Sequence, residues 1–428
     1  IFFLNNKSIK INKVFINSAI LILIFTGLII SKTHEDFIPY HFPFIEIITN
    51  SDAILGIGKI EINYVYTPFI AYLQKIFVIP LLSYKMVHVP IFLLYFSIIT
   101  FLTKEIVFNK KTNLIFFFIL IFFLTKFTRL SEYGYDYLVT FLIVIILIIF
   151  INNQNKKKKN TYFLYFILIF VFALSIKNIS VFFIPILLTL VFLNQQNYLN
   201  KLSKIFKNEK ILFWIFIILV ISYLIEGFLK SGCLINFMIW SCVENDKIFW
   251  SVDKQEILNI SNHVKLWAKG FYHQEINSKL NLDIYIKNFN WIPNWYRIHF
   301  NYKVLEFIGH LTFIFIICYF LSFSKNKILN KLNYLDKFLL LSSILSIFIW
   351  FFMLPQLRFG AGIIISFYIL LLIKFIGINE RIFKNKKIIF SIIILSFVFF
   401  NVKNINRINN EFKRLDKYQF KNFPFVSV

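Results

Sequence analysis

Residues 113–126 read NLIFFFILIFFLTK and residues 137–151 read YLVTFLIVIILIIFI, with only Phe127 to Asp136 between them. Neither stretch alternates apolar and polar positions as a half-buried strand would, and neither leaves the polar stripe of a surface helix. Unbroken apolarity over such lengths belongs to helices surrounded by hydrocarbon. Directly after the second stretch comes a wholly polar run, Asn152 to Asn160, which contains Lys156, Lys157, Lys158 and Lys159. Two greasy segments, a short mixed turn and a basic loop are the punctuation of a chain that crosses a membrane repeatedly.

The pattern extends in both directions. Apolar blocks occupy residues 14–30, 84–102, 113–126, 137–151, 161–176, 179–193, 211–229, 305–323, 337–354, 360–378 and 388–402. The whole chain is 58% hydrophobic and only 16% charged, whereas soluble domains run near half apolar and about a quarter charged. Residues 62–82 hold Pro68, Gln74, Lys75 and Pro80, which suits a broken helix lying at the membrane surface better than a span. The net charge of +25 comes from lysines scattered over short loops, so a nucleic-acid partner is not expected. The first block follows Lys7, Lys10 and Lys13 without a small-residue cleavage site, so no cleavable signal peptide is expected.

Cytoplasmic loops collect Lys and Arg. Residues 1–13 carry a net +3, residues 103–112 carry +2 and residues 152–160 carry +4, while 194–210, 324–337 and 379–387 each carry +3 and residues 31–83 come to −2. The expected fold is therefore all-α: a polytopic integral membrane protein of about eleven transmembrane helices. Its N-terminus is cytoplasmic, an interfacial helix segment follows the first span, and a small cap lies on the outer face. Residues 1–230 form an N-terminal transmembrane module, 231–304 the outer cap, 305–402 the C-terminal helices and 403–428 a basic tail. That tail lands outside against the charge rule.

The outer segments carry the unusual polar residues. His34, Glu35 and Asp36 stand just beyond the first apolar block, and Phe37, Tyr40 and His41 follow at once. Ionised groups at a helix mouth avoid the cost of about 2.5–3.5 kcal/mol that they meet at the bilayer centre. Glu35 and Asp36, with Glu46, Asp52 and Glu61 further on, can act as general base or hold a divalent cation, or simply be solvated. In Arg129-Leu-Ser-Glu132-Tyr-Gly-Tyr-Asp136, Arg129 or the preceding Lys126 could hold an anionic head group while Glu132 or Asp136 orients it; a self-satisfied salt-bridge turn is the alternative. Lys177-Asn178 is either a hairpin turn or another cation site. Arg358 is the only charge in a turn between Pro355 and the glycines Gly360 and Gly362, where free helix N–H groups and a guanidinium can both face a phosphate.

Residues 230–304 hold Cys233, Cys242, five tryptophans and three histidines, with a helix expected over Lys254 to Lys269. Cys233 and Cys242 are candidates for a disulfide; Cys318, inside an apolar block, is expected to pack. Their spacing matches no standard zinc pattern. The tryptophans read as interfacial anchors or as stacking surfaces for sugar. No phosphate-binding glycine loop and no G-x-S-x-G occurs, so no nucleotide is expected.

These residues resemble a known family. A first span followed by an acidic outer loop, an interfacial stretch, many further spans and a late outer cap resembles the GT-C superfamily of polytopic membrane glycosyltransferases. Within it, the segments His34 to Pro43, Arg129 to Asp136, Ser231-Gly-Cys233 and Leu357 to Gly360 resemble a group of bacterial membrane proteins of that layout. The resemblance implies transfer of a sugar from a polyprenyl-phosphate carrier to an acceptor glycan or lipid, on the periplasmic face of the bacterial cytoplasmic membrane. It implies that Asp36, with Glu35 beside it, is the general base or the ligand of a divalent cation such as Mg or Mn. Arg358, Lys177 or Arg129 then receives the phosphate, with Tyr40 and His41 lining the substrate site. In the family the acidic motif is often spaced by one residue; here Glu35 and Asp36 are adjacent, which leaves metal dependence open. An O-antigen-type polymerase or ligase is the rival enzyme class. A transporter or flippase would need ionisable residues at mid-span and internal repeats, and neither is apparent.

Overall fold

The computed structural model describes residues 10–29, 36–51, 55–66, 68–78, 87–107, 114–130, 135–153, 162–192, 209–235, 238–244, 247–271, 285–322, 334–376 and 386–414. Every regular element among them is helical. In chain order the helices are α1 (Lys10–Ile24), α2 (Phe42–Asn50), α3 (Ile70–Lys75), α4 (Val89–Val107), α5 (Leu114–Lys126), α6 (Asp136–Asn153) and α7 (Tyr162–Ile176). They continue with α8 (Ile184–Phe192), α9 (Lys210–Ser231), α10 (Lys254–Ala268), α11 (Ile292–Leu321), α12 (Tyr334–Met353), α13 (Leu357–Ile376) and α14 (Lys386–Arg414). Seven of the helices are long and apolar enough to cross a membrane, and the remaining apolar blocks form shorter helices within Val14–Leu28, Leu114–Lys126, Tyr162–Ile176 and Asn178–Val191.

The composition of each helix sets its depth in the bundle. All eleven residues from Leu114 to Leu124 of α5 are buried, so a helix apolar on every side becomes the centre of the fold. Around it pack α4, α11, α13 and α14, and α6 joins α13 to α7. At the other extreme, only 6% of the apolar window of α9 is buried within the protein. Its Ile211, Trp214, Ile218 and Ile225 point outward, as side chains meant for lipid do.

Residues 62–78 form a short 3-10 turn (Ile62–Tyr66) and the six-residue α3, too short to span. With α2 they pack against the C-terminal end of α9. There the Lys230 ammonium pairs with Glu226 one turn earlier and lies 4.7 Å from the Phe44 ring centroid. Gly232 then ends α9 in the left-handed region (φ 77°), and a Cβ there would press on Ser251. Beyond it Cys233 and Cys242 are joined in a disulfide, while Cys318 is a buried free thiol. A helix does form over Lys254–Ala268, begun by Asp253, whose carboxylate accepts from the Gln255 N–H at 3.0 Å. Two of the later helices extend beyond their apolar blocks. α11 begins at Ile292, inside the expected cap, and α14 runs unbroken for 29 residues to Arg414, through the start of the basic segment.

Candidate functional site

Arg358, the second residue of α13, is held on four sides. Its Nε donates to Gln356 Oε1 at 2.9 Å, and its Nη1 lies 3.6 Å from Asp36 Oδ2. Its guanidinium carbon is 4.2 Å from the Trp267 ring centroid and 4.9 Å from that of Phe359, a planar cation stacked as arginine prefers. The turn that carries it is fixed by indoles. Trp350 Nε1 donates to the Gln356 carbonyl at 2.9 Å and Trp295 Nε1 donates to the Pro355 carbonyl. Gly360 is required by this packing, since a Cβ there would fall 2.3 Å from the Trp350 ring.

Phe359 also carries the second cation. The Lys177 ammonium sits 5.4 Å from its ring centroid and is paired with the Asp136 carboxylate. Lys177 lies in the break between α7 and the 3-10 turn Asn178–Phe183, and Asp136 is the first residue of α6. Burial pulls the Lys177 ammonium below the ordinary lysine value and Arg358 adds to this, while Asp136 and Asp36 work against it. Two ion pairs, Asp36–Arg358 and Asp136–Lys177, thus flank one phenyl ring. The four side chains keep 34%, 28%, 14% and 30% of their surface exposed, so the cluster is only partly buried.

Asp36 begins a π-helical turn, Phe37–His41, a rare element that recurs at functional sites. The Tyr40 hydroxyl donates to the Asp36 carboxylate; burial first, and then that carboxylate, push the phenol far above its ordinary value, so its proton stays in place. His41 is buried, with its ring 4.3 Å from Tyr40 and edge-on to Tyr135 at 4.6 Å. The Tyr135 hydroxyl in turn donates to Gln74 Oε1 at 2.8 Å. The short helix α3 therefore braces the turn after Asp36 through Gln74, Tyr135 and His41. A second π-helical stretch, Tyr296–Val304, backs the site from the other side, where His299 Nε2 bonds the Trp267 carbonyl at 3.1 Å.

Asp36, Tyr40, His41, Asp136, Lys177 and Arg358 therefore gather in one place. Arg129, in the turn after α5, acts electrostatically on Lys403 of α14. Glu35 and Glu132, with His34 and Asp52, lie outside the described residues. Glu61 accepts from the Asn63 side chain at 2.7 Å, and Glu46 is exposed on α2. Cys233 and Cys242 are disulfide-bonded away from Arg358, in contact with Val65, Val252 and Ile257. Trp267, Gln356 and Phe359 are additions. Gln356 and Phe359 flank Arg358 in sequence and could have been found there, but Trp267 is 91 residues away and gave no local sign. The described carboxylates Asp36 and Asp136 each face a cation, and among the described residues no group of three or more metal-ligating side chains forms.

The chain belongs to the family described as Domain of unknown function (DUF8201), whose model matches residues 1–365. No curated protein and no solved structure matches it.

Proposed function

We propose that this member of the DUF8201 family is a polytopic membrane glycosyltransferase that takes a sugar from a polyprenyl-phosphate carrier. The observation that carries the reading is the Asp36–Arg358 contact at 3.6 Å with Lys177–Asp136 across Phe359. Sugar transfer with inversion needs a base for the acceptor hydroxyl and fixed positive charge for the departing phosphate. This cluster offers both within one half-open site. In the reaction, Asp36 takes the proton of the acceptor hydroxyl while its oxygen bonds to the anomeric carbon. The bond between that carbon and the phosphate oxygen breaks, and its electron pair leaves with the lipid phosphate. Arg358 and Lys177 hold the resulting charge. Tyr40, whose proton stays in place, orients the carboxylate. An arriving phosphate competes with Asp36 for Arg358, so donor binding frees the base it needs.

The eleven apolar segments are read as eleven spans, with the N-terminus inside and the cluster on the outer face. The charge count of the sequence supports that orientation, since basic loops stay inside, and a disulfide suits an oxidising compartment. The acceptor is a cell-envelope glycan or lipid.

The test uses membranes containing the full chain, supplied with a polyprenyl-phosphate sugar. Asp36→Asn is expected to cut transfer by about 10²- to 10⁴-fold, the usual contribution of a general base, while the protein still accumulates. Arg358→Ala is expected mainly to raise the donor KM. Transfer by Asp36→Asn at the parent rate would overturn the assignment.

A further inference from the structure

Lys230 and Lys269 both stand at helix ends and are both buried, but their surroundings differ. Lys230 is paired with Glu226. Lys269, just past the end of α10, is 8% exposed, and among the described residues no carboxylate pairs with it. Its ammonium lies 5.1 Å from the Trp291 ring centroid, and a ring face returns only part of the hydration that a buried ammonium gives up. Lys265 stands one turn earlier, at a spacing where like charges repel. Burial pulls the Lys269 ammonium below the ordinary lysine value, and Lys265 adds to this.

The fold fixes this cation in place. The Tyr285 hydroxyl donates to the Lys269 carbonyl at 3.0 Å. Gly270 then turns the chain in the left-handed region (φ 87°), where a Cβ would fall 2.9 Å from the Trp295 nitrogen. Trp291 is itself held, with its ring centroid 6.2 Å from Trp295 and 5.3 Å from Phe351. A lysine after a helix often serves the last free carbonyls. Here the carbonyls of Lys265, Leu266 and Trp267 already accept from the N–H groups of Lys269, Gly270 and Phe271 at 3.0 to 3.2 Å. The ammonium is therefore not spent on the helix end. Its ligand comes from water, since α10 is not among the membrane-crossing helices and exposes Gln255, Asn259 and Asn262. Lys269 faces Trp291, whereas Arg358 stacks on Trp267, so the two cations have separate platforms.

We infer that Lys269, seconded by Lys265, forms an anion site at the end of α10, apart from the Asp36 cluster, that binds the oxyanion of a water-borne ligand, a phosphate or a carboxylate. The bound anion supplies the counter-charge that the surrounding side chains leave out. The site holds whether or not the chain transfers sugar.

Thermal unfolding of the purified full chain in detergent tests it, at constant ionic strength, with inorganic phosphate, glucuronate, glucose or phosphatidylglycerol added. A ligand bound only by the folded chain raises Tm as its concentration grows. Phosphate or glucuronate is expected to raise Tm, and glucose is not. The rise is expected to persist in Arg358→Ala, which removes the guanidinium of the other cluster, and to be lost when Lys269→Met is added. Lys265→Gln is expected to weaken the apparent affinity about threefold. Lys269→Met removes a buried charge and keeps an apolar stem, so without added anion it is expected to unfold at or above the parent's Tm. Earlier unfolding of Lys269→Met without anion makes the lysine a structural cation and overturns the site. No rise from either soluble anion, or a rise that Lys269→Met leaves undiminished, also overturns it. A rise from phosphatidylglycerol alone overturns its assignment to a water-borne ligand.

Discussion

Gly360→Ala tests whether Trp350 really locks the turn that carries Arg358. A Cβ at Gly360 would lie 2.3, 2.6 and 2.7 Å from three atoms of the Trp350 indole, about 1 Å short of ordinary van der Waals contact. Trp350 is 4% exposed and cannot swing into solvent, so either the ring or α13 must shift. Overpacking of this kind costs about 1–3 kcal/mol. The same shift breaks the 2.9 Å bond from Trp350 to the Gln356 carbonyl, which adds about 1 kcal/mol. The expected loss is therefore about 2–4 kcal/mol. Gly309 in α11 supplies the control, since a Cβ there meets nothing within 4 Å. Gly309→Ala should gain about 0.5–1 kcal/mol from helix propensity alone. Reversible unfolding in mixed detergent micelles reads both variants against the parent. Stability of Gly360→Ala equal to that of Gly309→Ala would refute the packing argument, and with it the account of how Arg358 is held.

Three further outcomes are expected. Lys177→Met should strand the largely buried Asp136, and adding Asp136→Asn should recover part of the loss. A double-mutant cycle on unfolding should give a coupling of about 0.5–3 kcal/mol; additivity would show that the pair is not energetically linked. Cys233→Ser opens a loop with a sequence separation of 9 and should cost the segment after α9 about 2–3 kcal/mol, seen as faster proteolysis between Gly232 and Lys254; unchanged cleavage rates would refute it. Because burial lowers the Lys177 pKa, the donor phosphate should lose this cation as pH rises, below the ordinary lysine value. The donor KM should climb there, and Lys177→Arg, which stays charged, should flatten the rise. An unaltered profile would remove Lys177 from the phosphate site.

Much of the candidate site is legible in single segments. Asp36 stands out because an ionised side chain ends an apolar block, and Arg358 because it is the only charge between Pro355 and two glycines. The apolar blocks mark every long helix, since period and length together leave no soluble alternative. The ends are less legible. α11 starts thirteen residues before the apolar block at 305, in a stretch polar in places, where Trp295 packs edge-on against Phe351 of α12. α14 continues past Val402, where Asn401 donates to the Leu23 carbonyl at 2.8 Å and Asn404 to the Thr26 hydroxyl at 3.3 Å.

The amino-acid sequence by itself determined that this chain is a set of apolar helices with its chemistry at their ends. Hydrocarbon burial is local and additive, so each segment reports its own fate. Which ends meet was decided only by tertiary structure. Asp36 and Arg358 are 322 residues apart, and their contact, the sharing of Phe359 by two cations and the stacking of Trp267 all depend on how the ends of α7, α10 and α13 come together. Coulomb attraction acts through space at a few ångströms, and sequence spacing carries no record of that distance.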